Sequence, residues 1–167
     1  VDQTSPGIYA FDSYANPIKI TRYSSGLTGP QPGYSRSEQT VYVHDTNKWV
    51  LSQVGSVICS GGPDCTPAKV ISRTEYDGNS LPWRTYSFEV LQQTLGYDLT
   101  TVGAKGSLQT LTDGRGNVTT VSSWKRGIPQ SIVYPTLGPG NTPAESALVN
   151  AIGGLSHTVD ELGAKTC

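Results

Sequence analysis

The sequence predicts an all-β protein made of antiparallel β-hairpins. Three observations carry this. Chain-reversing residues are dense, with 19 glycines and 11 prolines in 167 residues, and they recur about every ten positions. Thr, Val and Tyr, which favour strands, fill the gaps between them. Finally, Gly106, Leu108, Asp113, Gly116 and Thr119 reappear as Gly153, Leu155, Asp160, Gly163 and Thr166, each pair 47 positions apart. Self-similarity at a fixed period marks a repeat architecture, in which no unit buries its own faces alone.

The elements follow in order. Residues 7–11 and 17–23 read as strands around Asp12-Ser13-Tyr14-Ala15-Asn16, and Ile18 and Ile20 alternate with Lys19 and Thr21 as on a two-faced sheet. Residues 24–37 gather Gly26, Gly29, Pro30, Pro32 and Gly33 and read as a surface loop. Residues 40–43 and 48–54 form a hairpin around His44-Asp45-Thr46-Asn47, and a second Pro/Gly loop spans 59–67. Residues 68–76 run to a turn at Asp77-Gly78-Asn79-Ser80. Residues 83–90 return as one strand, with Pro82 suited to its entry. Residues 92–97 pair with 107–112 across 98–106.

The central hairpin comes next. Leu108 to Thr112 run into Asp113-Gly114-Arg115-Gly116-Asn117, where an Asp side chain can bond nearby N–H groups and Gly and Asn accept positive φ. Residues 128–134 add a strand, and 135–143 form a third Pro/Gly loop. Read locally, Thr142-Pro143-Ala144-Glu145 opens a capped helix stopped by Gly153-Gly154.

Bulk properties narrow the function classes. Hydrophobic residues make up 35% and charged residues 15%, both below the globular average, so a large helix-packed core is not expected. The formal net charge is −1, without the basic patch of a nucleic-acid binder, and no apolar run reaches the roughly 18 residues of a membrane-spanning helix. The chain has no Met and ends at Cys167 inside a repeat, which reads as a piece of a larger polypeptide. Cys59 and Cys65 flank Ser60-Gly61-Gly62-Pro63-Asp64. They can close a disulfide in an extracellular setting or remain two partly buried thiols. Cys167 is left over. Two thiols without a nearby His or third Cys are too few ligands for zinc, and no metal or cofactor is expected.

The motif Gly-x-Leu-x4-Asp-x2-Gly-x2-Thr resembles the YD repeat of bacterial RHS proteins. The stretch Lys125-Arg126-Gly127-Ile128-Pro129-Gln130-Ser131-Ile132 resembles a segment that often follows such a repeat. Tyr76-Asp77 and Tyr97-Asp98 resemble the dipeptides that name the family, Asp12 to Pro17 a degenerate turn of the same kind, and Lys48-Trp49-Val50-Leu51 an upstream segment. The likeness covers most of the chain, and Glu161-Leu162 departs from the usual turn residues. It implies that residues 1–167 are a single β-rich segment, its hairpins part of a spiralling β-sheet shell. It also implies that Ser146 to Asn150 are strand, against the local helix signals.

No catalytic residues are expected. Asp113, Gly116, Asn117, Asp160 and Gly163 read as repeat-turn residues, and Asp12, Asp77 and Asp98 stand in similar contexts. A His44–Asp45–Ser relay can be drawn, but no Gly-x-Ser-x-Gly elbow accompanies it. The resemblance implies a secreted or cell-surface bacterial shell that encloses a C-terminal toxin domain of the same polypeptide. The partners would be flanking repeats and that toxin, with self-association through end strands. A stand-alone extracellular module binding carbohydrate or a cell surface, with Trp49, Trp83, Trp124 and the tyrosines as platform, is the alternative reading. A glycoside hydrolase using the repeat aspartates is a weaker one.

Overall fold

The computed structural model describes residues 11–26, 29–62 and 64–167. All of its regular structure is β, and every strand pairing is antiparallel. Packing groups the chain into two compact units, residues 1–91 and 92–167. Within each unit the strands in extensive contact are neighbours in sequence.

The first unit is a meander. β1 (Lys19–Gly26) pairs with β2 (Gly29–Asp45) from Lys19↔Gln39 to Gly26↔Gly29. β3 (Val50–Gly61) pairs with β2 through Ser37↔Ser60 and Asp45↔Val50. β4 (Cys65–Tyr76) then lies on β3, and β5 (Pro82–Ser87) on β4. Cys59 and Cys65 are joined by a disulfide, with Cα atoms 5.6 Å apart. Both are fully buried. Gly61 has φ +76°, and a Cβ there would lie 2.9 Å from the Ser35 carbonyl oxygen. The hairpin therefore needs glycine to close against β2.

The second unit is also a meander. β6 (Val90–Tyr97), most of which belongs to this unit, pairs with β7 (Leu108–Asp113) from Gln93↔Asp113 to Tyr97↔Leu108. β8 (Val118–Ser122), β9 (Ser131–Val133), β10 (Ala144–Val149), β11 (Leu155–Val159) and β12 (Lys165–Thr166) follow, each paired with the one before. Only Cys59, Cys65, Ala104, Val121 and Val149 are buried apolar residues among those described. Apolar burial is the main driving force of most domains. Here ladders and turns must carry an unusual share.

Three sequence expectations need correction. Residues 24–37 are largely strand, not loop. The ladder passes from Arg22↔Arg36 to Ser24↔Gln31, stepping over residues 32–35, so the Pro32-Gly33 pair falls where no β1 partner is required. Residues 59–67 are likewise mostly strand, with 59–61 ending β3 and 65–67 opening β4. Residues 83–90 are not one strand. Phe88 and Glu89 have φ of +48° and +62° and end β5. At residues 142–153, where local helix signals stood against the strand implied by the family resemblance, the chain is strand through Val149, because β9 and β11 offer β10 a partner on each edge. Part of the strand expected at 7–11 lies outside the described residues.

Val149 is 1% exposed and Val102 is 99% exposed. Val149→Ala should cost about 2 kcal/mol through lost burial and a residual cavity, whereas Val102→Ala should stay within about 0.5 kcal/mol. Urea unfolding of the two variants measures both. Equal effects would mean that Val149 anchors no core.

Candidate functional site

Among the described residues, one turn is built five times. Its first residue is Asp12, Asp77, Asp113, Asn150 or Asp160. The backbone N–H of that residue donates to the carbonyl four positions on, at 2.9–3.1 Å, and its own carbonyl accepts from the N–H three positions on, at 3.0–3.3 Å. Its Oδ1 accepts from the N–H two positions on, at 2.8–3.1 Å. The same oxygen accepts from the N–H four positions on, at 2.8–2.9 Å. The fourth residue is left-handed every time: Ala15 (φ 63°), Ser80 (63°), Gly116 (90°), Gly153 (94°) and Gly163 (83°). This is a three-residue hairpin loop closed by a left-handed residue, with the side chain supplying acceptors the backbone lacks.

The repeat-turn residues fall accordingly. Asp113, Gly116 and Asn117 share the β7–β8 turn, where the Asn117 amide also donates to Asp113 Oδ2 at 2.8 Å. Asp160 and Gly163 make the β11–β12 turn. Asp98 uses a looser version, its Oδ1 accepting from the N–H groups of Thr100 and Thr101 at 2.9 and 2.8 Å.

At Asp98, Asp45, Asp113 and Asp12 such bonds favour the ionised carboxylate. The Thr101 N–H, with further bonds from Thr101 and Thr100, holds Asp98 down to about 2. The Lys48 ammonium and then the Ser80 hydroxyl hold Asp45 down to about 2. The Asn117 side chain, then its N–H, lowers Asp113. At Asp12, burial pushes upward, but the combined bonds from Asn16, Tyr14 and His44 outweigh it. A glycosidase acid must stay protonated near neutrality, so the lowering at Asp113 runs against a proton-donor role there.

The drawn relay does not assemble. His44 faces Asp12 rather than Asp45, with Nε2 3.2 Å from Asp12 Oδ2, and its Nδ1 accepts from the backbone N–H of Ser52 at 3.0 Å. Asp45 is instead bound to Lys48 and to the Ser80 hydroxyl, both at 2.8 Å. His157 sits on β11 opposite Leu148. Trp49 is 81% exposed, Trp83 carries the Arg84 guanidinium 3.9 Å from its ring centroid, and Trp124 donates its indole N–H to the Leu108 carbonyl at 2.8 Å.

The second unit also carries a groove that the sequence does not signal. Its volume is about 500 Å³, and its lining includes Asp113, Tyr134, Pro135, Pro143, Glu145 and Glu161. It lies where the β7–β8 turn, the β9–β10 connection and the β11–β12 turn meet at one end of the meander. The Tyr134 hydroxyl donates to Glu145 Oε1 at 2.9 Å. That bond first, then burial and the charges of Glu145 and Glu161, pushes the phenol up. Residues spaced this far apart share no local motif, so only register brings them together. Among the described residues, no group of three or more His, Cys, Asp or Glu is placed to hold a metal ion, and no helix is long and apolar enough to cross a membrane.

No protein-family model matches the chain, and no curated protein matches it. Among solved structures it is similar to a chain of the crystal structure of TcdB2-TccC3, at 15% identity and a TM-score of 0.34. It is also similar to one of TcdB2-TccC3 without hypervariable C-terminal region, at 15% identity and a TM-score of 0.35. Each match covers 92% of this chain and 10% of the other, so the chain spans about a tenth of the length of the solved chains it matches.

Two outcomes are expected. The depressed carboxyls contribute stability that is complete above their ordinary range near 4 and is lost as pH falls towards about 2. Tm should therefore decline between about pH 4 and pH 2, and a flat Tm there would show that the turns contribute nothing. Asp160→Ala removes both Oδ1 bonds and should lower Tm. Asp160→Asn keeps an acceptor, as Asn150 does, and should hold Tm near that of the parent.

Proposed function

We propose that this chain is a wall segment of an RHS (YD-repeat) shell in a secreted or cell-surface bacterial protein. The shell would enclose a C-terminal toxin domain of the same polypeptide until delivery, and the segment itself would perform no catalysis. The observation that carries this reading is the fivefold use of one Asp/Asn turn on meanders with few buried side chains. A wall needs continuous backbone ladders and tight reversals, and it needs neighbours to finish burying its faces. The Cys59–Cys65 disulfide suits an oxidising compartment.

The groove beside Tyr134 favours a second reading, an extracellular module that binds carbohydrate. Its tyrosine and proline walls offer apolar contact, and its carboxylates offer hydroxyl acceptors. Limited proteolysis of the whole polypeptide separates the two. A shell should leave the C-terminal domain uncut until the repeats are unfolded, and a glycan array should stay blank. A C-terminal domain cut as fast as the same domain alone would refute the shell reading, and glycan binding lost in Tyr134→Ala would establish the other.

A further inference from the structure

His44 joins three pieces of the first unit: the Asp12 turn, β2 and β3. A backbone N–H can only donate, so the bond from Ser52 makes Nδ1 the lone-pair nitrogen. The ring proton must then lie on Nε2, donated to the Asp12 carboxylate. The ring is packed against Tyr14, with centroids 4.5 Å apart, and stacked at 6.3 Å with Tyr42. Its side chain is 21% exposed, and that of Asp12 is 18% exposed, so water offers limited substitution for either bond. Ser52 is itself under constraint. Its φ is +66°, in a region costly for a residue with a Cβ, and it sits where the β2–β3 register shifts between Val43↔Gln53 and Asp45↔Val50.

The ionisable groups around the ring are few. The turn presents Asp12 and Tyr14. β2 presents Tyr42, and its Asp45 is already engaged by Lys48 and Ser80. β3 presents the Ser52 amide and no ionisable side chain at the contact.

We infer that His44 is a pH-sensitive latch on β3. Taking a proton from solvent at Nδ1 would set two N–H groups against each other across 3.0 Å. The Ser52 bond must then break. The imidazolium meanwhile gains charge attraction to Asp12, so the turn stays attached to β2 while β3 is let go. Ser52 is then free to leave its left-handed conformation, and the start of β3 loosens without loss of the sheet.

Nuclear magnetic resonance on the whole chain tests this between about pH 8 and pH 5. At the upper end the His44 ring should show the Nε2–H tautomer. On acidification the protection factor of the Ser52 amide should fall about tenfold or more, with the midpoint of the ring titration, while Val57 and Ile58 stay constant. His44→Gln offers an acceptor and a donor that do not titrate, and it should abolish the pH response of Ser52. Three outcomes overturn the latch: a ring that stays neutral to pH 5, Ser52 protection that ignores the ring's titration, or the same response in His44→Gln. Should His44→Gln fail to fold, the coincidence of the two midpoints in the parent protein decides alone.

Discussion

The structure depends on one local arrangement, a carboxylate or amide oxygen that takes two backbone N–H groups inside a three-residue reversal. A hairpin loop this short leaves N–H groups pointing inward with no carbonyl to meet them, and such groups are costly when unpaired. The Oδ1 of Asp12, Asp77, Asp113, Asn150 and Asp160 supplies that acceptor each time. The geometry then demands a left-handed residue at the fourth position. Glycine meets that demand at Gly116, Gly153 and Gly163, and Ala15 and Ser80 meet it under strain. Ser80 has a compensation, because its hydroxyl donates to Asp45 and its carbonyl receives the Gln53 amide.

In the first unit these reversals are stitched to one another. Asp12 is held by His44 on β2, and the β2–β3 turn is held to the β4–β5 turn by Ser80 on Asp45 and by Lys48 on the Gly78 carbonyl. The three turns stand at the same end of successive hairpins, so polar bonds run along a rim. Elsewhere in the unit an ion pair crosses the ladder from Arg22 to Glu38, and Arg73 pairs with Glu75 along β4 and with Glu89 beyond β5. Exposed pairs of this kind add little each. The disulfide and the rim network are therefore better placed than surface charge to fix the meander.

The repeat was legible in the sequence because Asp and Gly are required by chemistry that leaves few substitutes. Asn150 is the informative variation. It keeps the oxygen and loses the charge, so a motif written around Asp passes over it. The turn at Phe88 and Glu89 was illegible for the opposite reason, since two residues with positive φ usually announce themselves as Asn or Gly, and Ser-Phe-Glu-Val carries no such sign. Residues 24–37 misled through composition, because a bulge can absorb the very residues that suggest a loop. The helix signals at 142–145 were real but local. Ala144 to Val149 alternate exposed and covered along β10, the two-residue period of a strand, and ladder partners on both sides outweigh a short helix that would have little to pack on.

The groove and the His44 site share a reason for being invisible to sequence reading. Each is assembled by register between residues far apart in the chain, Asp113 with Glu145 and Glu161 in one case and Asp12 with His44 and Ser52 in the other. Each also uses a turn carboxylate a second time: Asp113 lines the groove while closing its hairpin, and Asp12 holds His44 while closing its own. A repeat that keeps a side-chain oxygen at every reversal, a carboxylate at four of the five, thereby sets charges along the turn ends of its hairpins. Any chemistry added to the hairpins is most readily built there, where the structural acid is already held in place.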